Sequence, residues 1–147
     1  MKVSTKGRYG TRAMLDVALH ADEGLVHLKD VAERQEISKK YLEHLVARLE
    51  GDGLLRTVRG AGGGVALTSP PSEVTILDIL RTLEGSLAPV ECVDRPEVCS
   101  RSGNCGARDL WTELGVIVTG FLGSVTLEDL CERQREKDEP AAITYYI

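Results

Sequence analysis

The chain has 147 residues and a net charge of -5, with 42% hydrophobic, 28% charged and 4% aromatic residues. That composition describes one main domain packed by Leu, Val and Ala, and it excludes disordered and collagen-like chains. No apolar run approaches the roughly 20 residues that span a bilayer, and no signal-peptide core follows Lys2, Lys6, Arg8 and Arg12, so a cytoplasmic protein with no membrane partner is expected. Residues 1–60 carry 11 Lys and Arg against 9 Asp and Glu, a net +2, whereas residues 61–147 carry 7 against 14, a net -7. A polyanion would dock at the basic end.

In chain order, Ala13, Met14, Val17, Ala18 and Ala21 recur at helical spacing. Leu15 and Leu19 make the same segment apolar on a second side, which predicts a central helix ended by Gly24. A short second helix places Leu28, Val31, Ala32 and Gln35 on one face. The connector Gln35-Glu36-Ile37-Ser38 leads into a third helix over 38–50, because the Ser38 hydroxyl can accept from the free N–H groups of the first turn. Leu42, Leu45, Val46 and Leu49 then fall at the spacing of a buried stripe, while Lys39, Lys40, Glu43, His44 and Arg48 project elsewhere. Gly51-Asp52-Gly53 closes that helix. Strand-like runs over 54–58 and 65–67 flank Arg59-Gly60-Ala61-Gly62-Gly63-Gly64, which reads as a hairpin with a flexible tip.

A short helix, a capped helix and a hairpin in that order form a winged helix-turn-helix. The expected fold class is mainly α, with a small β-hairpin wing and a long C-terminal dimerisation helix. An exposed helix fits the major groove of DNA, whose edges carry the sequence code. Ser38, Lys39, Lys40, Tyr41, Glu43 and His44 occupy its leading end, where Lys meets phosphate or guanine and Glu43 accepts from cytosine or repels a misplaced phosphate. On the wing, Arg59 and Gly60 can approach a phosphate or enter a minor groove. A merely solvated charged face is the plain alternative, and the ordered connector, cap and hairpin favour double-stranded promoter DNA as the partner.

Ser69-Pro70-Pro71-Ser72 breaks the chain before a fourth helix carrying Ile76, Ile79, Leu80 and Leu83, entered through Thr75-x-x-Asp78 and stopped by Gly85. Residues 1–87 then form the DNA-binding domain, 88–106 a cysteine-rich loop, 107–135 a dimerisation helix with a short terminal helix, and 136–147 a charged tail. The long helix aligns Ala107, Leu110, Trp111, Leu114, Val118, Phe121 and Leu122, with Val116 and Ile117 widening the stripe. That is more apolar surface than one small core requires. Helix-turn-helix proteins read paired half-sites through two-fold symmetry, so Leu110, Trp111, Leu114, Val118 and Phe121 are the expected homodimer interface. The alternative is that this helix covers its own domain.

Between these helices lies Cys92-Val-Asp-Arg-Pro-Glu-Val-Cys99-Ser-Arg-Ser-Gly-Asn-Cys105, whose Pro, Ser, Gly and Asn content disfavours regular structure. Clustered thiols in a reducing compartment hold metal or sense oxidants more often than they pair as disulfides. Spacings of six and five intervening residues do not match the short knuckles of common zinc ribbons and suit a loop wrapped around something larger, such as an iron-sulfur cluster. Zinc, a redox thiol switch and inert cysteines stay open on spacing alone. Cys131 stands apart. Enzymatic chemistry is not expected: no nucleophile-base pair or paired-carboxylate signature stands out, and residues 60–64 lack the Lys-Ser/Thr of a phosphate loop.

Lys6-Gly-Arg-Tyr-Gly10, Met14-Leu-Asp-Val-Ala-Leu19, Ile37-Ser38, Tyr41-Leu-Glu-His-Leu45, Gly53-Leu54 and Val58-Arg-Gly-Ala-Gly-Gly-Gly64, followed by the three cysteines, resemble the IscR-type iron-sulfur regulators. That winged-helix family also includes the nitric oxide sensor NsrR and the cysteine-metabolism repressor CymR. The resemblance covers nearly the whole chain. It implies a dimeric transcription regulator in which Cys92, Cys99 and Cys105 ligate a cluster, most often 2Fe-2S, and the helix over 38–50 reads DNA. Leu83-Glu-Gly85 and the ending Ala142-Ile-Thr-Tyr-Tyr-Ile147 resemble the CymR branch, which has no cluster cysteines.

Two departures leave the fourth ligand open. Arg108 stands where IscR has a ligating histidine, and Arg8 stands where the NsrR branch has an acidic ligand. The first cysteine spacing is also one residue longer than in IscR. Glu91, Asp94, Glu97, His20, His27, His44 and Cys131 are the remaining candidates in the chain. The expected function is a regulator, with repression as the expected sign, whose promoter binding follows cluster occupancy and which controls iron-sulfur assembly genes. The alternative is a CymR-like regulator of cysteine or sulfur metabolism, or a protein-interaction module, using zinc or redox thiols. In either case a protein partner that supplies or senses cluster or cysteine status is possible.

Overall fold

Helix α1 runs over Thr5–Leu19 and begins at Ser4, whose side chain accepts from the Gly7 N–H. It ends sooner than the apolar spacing implied. His20 turns the chain back by donating its N–H to Ala18 and Asp16, and Ala21–Glu23 forms a separate 3-10 turn on which Ala21 is exposed. Helix α2 spans Leu28–Gln35 and closes at Glu36, which at φ 54° is the only non-glycine residue in the left-handed region among the described residues. That turn aims the chain into α3, Lys39–Gly51, where Ser38 Oγ accepts from Tyr41 N at 3.2 Å as its sequence position suggested.

The wing follows. Strand β1, Leu55–Val58, pairs antiparallel with β2, Gly64–Leu67, in a register running from Leu55 opposite Leu67 to Val58 opposite Gly64. It is fixed to the body on two sides. Thr57 N donates to Glu50 Oε1 of α3 at 3.0 Å, and Val26 bridges to Val65. Helix α4, Ile76–Glu84, carries the anticipated reciprocal cap between Thr75 and Asp78. Next come the single turn α5, Glu91–Asp94, the long helix α6, Gly106–Ser124, and α7, Leu127–Asp138. The computed structural model describes residues 1–141, so the CymR-like ending over 142–147 lies outside the described residues.

The core joins Met14, Val31, Leu42, Leu45, Leu49, Leu55, Val65, Ile79 and Leu83, all at most 2% exposed. Burying each such side chain contributes about 1.5–3 kcal/mol, which is why these positions dictate the helix faces. Unlike the short helix and early tail read from the sequence, α7 continues to Asp138 and returns to this core. Leu127 and Cys131 are buried in it, Ile76 N donates to the Val125 carbonyl, and Leu127 N donates to the Val74 carbonyl. Residues 1–87 therefore share their core with a segment that follows the cysteine loop. Between the two contributions, no residue from 84 to 124 is buried. Within this arm the cysteine loop is a string of single turns rather than structureless chain. Pro96 starts the 3-10 turn Pro96–Val98, Ser102–Asn104 makes another, and Ser102 Oγ donates to the Pro96 carbonyl at 2.8 Å. No helix among the described residues is long and apolar enough to cross a membrane.

Candidate nucleic-acid interface and cysteine arm

The buried stripe of α3 leaves its opposite face exposed, and Ser38, Lys39, Lys40, Glu43 and His44 all lie on the surface there. Lys39 Nζ sits 3.9 Å from Glu43 Oε1 with both side chains more than half exposed, an ion pair weak enough to yield its cation to a phosphate. Arg59 and Gly60 are exposed at the wing tip, and Gly60 adopts φ 98°, a conformation that costs little only for glycine. The fold brings these two sets together. A groove of about 400 Å³ between α3 and the wing is lined by His27, Lys29, Lys39, Glu43, Thr57 and Arg59. Thr57 Oγ1, buried beside it, has no hydrogen-bond partner among the described residues.

Tyr41 is half-buried, and its ring meets that of Tyr9 edge-on, with centroids 6.1 Å apart and planes at 79°. This contact places the start of α1 beside the start of α3. Arg8 and Arg12 lie over the Tyr9 ring at 5.6 and 5.4 Å, and Lys6 shares a second groove with Tyr41, His44 and Arg48. The cationic face is thus wider than the recognition helix, and Lys6, Arg8, Arg12 and Lys29 escaped the sequence-based site. The net +2 of residues 1–60 was the signal that could have found them, although it does not say which face they share.

A buried carboxylate holds the helix-turn-helix at its angle. Asp16, 2% exposed, accepts from Arg34 Nη2 at 2.6 Å and Nε at 3.0 Å, and from Gln35 Nε2 at 2.9 Å. The hydrogen bond from Arg34 to Asp16 holds the guanidinium pKa above its ordinary value. Arg12 adds bonds to the Gln35 side-chain and backbone oxygens, so α1 grips the end of α2 where the turn begins.

Cys92, Cys99 and Cys105 are free and half-buried, on α5 and the turns that follow. Among the described residues no three His, Cys, Asp or Glu side chains converge to hold a metal ion. Three accessible thiols suit a thiophilic metal or cluster chemically, and the loop would have to draw its turns together to use all three. The proposed fourth ligands are engaged or distant. Glu91 and Glu97 pair with Arg95 at 2.9 and 3.4 Å, Asp94 accepts from Ser86 Oγ, and His20 Nδ1 lies 2.8 Å from the Asp16 carbonyl. His27 and His44 lie on the cationic face. Cys131 is 2% exposed in the core, where burial raises its thiol pKa and keeps it a poor ligand. Arg108 donates from Nε to the Cys92 carbonyl at 2.8 Å, so it holds the loop's backbone instead of replacing a ligand.

On α6, Leu110, Trp111 and Phe121 are exposed as a partner-facing stripe requires, together with Val116 and Ile117 at 66% and 68%. Leu114 and Val118 are half-buried. They share the helix side of Leu122, which packs on the core, so they divide their surface between the chain's own body and the outside.

A helix-turn-helix with a hairpin wing, with Lys6, Arg8, Lys29, Lys39 and Arg59 exposed around it, defines a winged-helix DNA-binding protein. The family model for Rrf2, described as an iron-dependent transcriptional regulator, matches residues 3–133. The chain belongs to the Rrf2 family and is a DNA-binding transcriptional regulator rather than an enzyme. It is 43% identical over 138 residues to the HTH-type transcriptional regulator IscR of Photorhabdus laumondii, covering 94% of this chain and 84% of that one. Among solved structures, IscR of T. potens matches with a TM-score of 0.79 and 38% identity, covering 99% of this chain and 97% of that one. CymR, the global cysteine regulator of B. subtilis, matches with 0.76 and 40%, covering 90% and 98%. The chain is IscR-like and retains a likeness to the CymR branch.

Proposed function

We propose that this chain is a cytoplasmic, homodimeric promoter-binding repressor whose affinity for DNA responds to an iron-sulfur cluster of the 2Fe-2S type, and that it governs iron-sulfur assembly genes. The observation that carries this reading is the arm over 85–124, none of whose residues is fully buried, which holds three thiols and an apolar helix between two segments of one shared core. In this reading the arm is completed by a second copy, through Leu110, Trp111, Leu114, Val118 and Phe121 of α6, and by a ligand on Cys92, Cys99 and Cys105. A cluster bound there would supply a crosslink sensitive to iron supply and redox state. The chain's own residues do the reading of DNA: Ser38, Lys39, Lys40, Tyr41, Glu43 and His44 enter the major groove, and Arg59 and Gly60 meet the flanking backbone. A ligand shifts such an equilibrium only by favouring one arrangement of the arm over another.

Anaerobic purification tests the cluster. The wild-type protein should be brown, with sulfur-to-iron absorption and stoichiometric iron and sulfide, and replacing Cys92, Cys99 and Cys105 by Ala should abolish all three signals. A colourless protein that takes up no iron on reconstitution would contradict this part. The 40% identity to CymR supports a second reading, a regulator of cysteine or sulfur metabolism that uses zinc or redox-active thiols. Stoichiometric zinc, or reversible thiol oxidation that changes DNA affinity without iron, would favour it.

A further inference from the structure

Two sequence motifs left unexplained by the DNA-reading role meet in the fold. Lys6-Gly-Arg-Tyr-Gly10 opens α1, Leu83-Glu-Gly85 ends α4, and the two ends are packed unusually close. A Cβ on Gly7 would collide with Glu84 Oε1 and lie 3.0 Å from Leu80, and one on Gly10 would collide with the Leu83 side chain. Gly7 gives the carboxylate access to the helix end, and Gly10 lets the Leu83 side chain pack against α1. Glu84 Oε1 accepts from Ser4 N at 3.0 Å and from Gly7 N at 3.1 Å, with the Ser4 hydroxyl as a third donor. Those N–H groups belong to the first turn of α1, where a negative charge also meets the positive end of the helix dipole. One residue earlier, the Leu83 carbonyl accepts from Arg48 Nη1 of α3 at 3.1 Å. The last two residues of α4 therefore hold both α1 and α3, and Gly85, at φ 79°, turns the chain directly into the cysteine arm.

We propose that Glu84 is the positioning residue through which the stem of the cysteine arm sets the DNA-facing end of α1. This rests on the reading of the chain as a DNA binder regulated through that arm. A pull or twist on residues 85–92 runs past Leu87, which packs on the core, to Glu84, the side chain at the foot of the stem that bonds to α1, and α1 carries Lys6, Arg8 and Tyr9 on the turn that Glu84 holds. Glu84 touches neither DNA nor the thiols in this assignment. It fixes where the cations of α1 stand relative to Tyr41 and α3.

The test uses full-length protein and a duplex enriched on the wild type from a randomised library. Affinity is measured before and after anaerobic reconstitution with ferrous iron and sulfide, alongside amide hydrogen exchange over residues 1–12. In the wild type, reconstitution should change the duplex Kd by about tenfold, within the usual range for coupled sites, and should alter exchange over residues 1–12. Glu84→Ala should take up the same iron per chain yet lose both responses, its Kd ratio falling to within about twofold of unity. Glu84→Gln, whose amide oxygen still accepts, should restore them, a rescue that a general loss of packing would not give. A wild-type ratio retained by Glu84→Ala at equal iron content, or a failed rescue by Glu84→Gln, would overturn the assignment of Glu84 alone. Absence of iron uptake or of any enriched duplex in the wild type would overturn the regulatory reading, and the coupling with it.

Discussion

Asp16 shows how one residue serves function without touching DNA. A carboxylate buried to 2% is tolerable only because Arg34 and Gln35 satisfy its oxygens, and in doing so they lock α1 to the end of α2. Asp16→Asn would turn an amide N–H toward the Arg34 and Gln35 donors, and because Arg34 is 37% exposed and can be rehydrated, unfolding in urea should show a loss of about 1–3 kcal/mol, the cost of the unsatisfied buried hydrogen bonds. Asp129 gives the corresponding acid response. The Thr126 backbone N–H, then its hydroxyl, hold the Asp129 carboxyl below the ordinary range at the start of α7. A depressed folded-state pKa contributes stability above the unfolded value of about 4 and loses it as pH falls through the folded value. Thermal melting followed down to pH 3 should show this acid-dependent loss, and Thr126→Ala, which removes the hydroxyl half of the cap, should flatten it.

At the scale of elements, the proposed interface draws one half from α3 and the wing and the rest from the face of α1. Arg59→Ala should reduce the slope of log affinity against log salt by about one, the effect of a single lost phosphate contact, with little change in sequence preference. The exposed stripe of α6 makes a separate demand. If α6 forms the proposed homodimer, Ile117→Asp with Phe121→Asp should convert it into a monomer in sedimentation equilibrium while the helical signal in circular dichroism is kept, since neither side chain supports the chain's own core. A variant that stays dimeric would remove α6 from the interface. The helix-turn-helix was legible because its signals are local: Ser38 caps, Leu42 to Leu49 alternate at helical spacing, and 60–64 is a glycine tip. The far end of α7 was not. Its composition is charged, and only Leu127 and Cys131 are buried, with Leu130 half-buried beside them, too few to register as a period. The pairing of Tyr9 with Tyr41 and of Glu84 with Gly7 was equally hidden, because both join residues far apart in the chain. The cysteines were legible as a group, but the loop's turns and the engagement of its acidic residues by Arg95 and Ser86 were not.

The whole molecule is a DNA-reading body interrupted by an arm. The body is closed by Leu127 and Cys131 of α7, after the arm has left at Gly85 and returned at Val125. An insertion anchored at both ends in one core can transmit a change in its own conformation to that core, which would be the physical basis for the proposed regulation by a ligand on the thiols. The most direct measurement is fluorescence anisotropy on an enriched duplex, comparing protein reconstituted with ferrous iron and sulfide, metal-free protein, and the Cys92→Ala, Cys99→Ala, Cys105→Ala variant under the same treatment. A change in Kd of at least about fivefold in the wild type, absent from the variant, is the predicted result. Identical affinities for all three, with iron bound to the wild type, would contradict regulation through the arm.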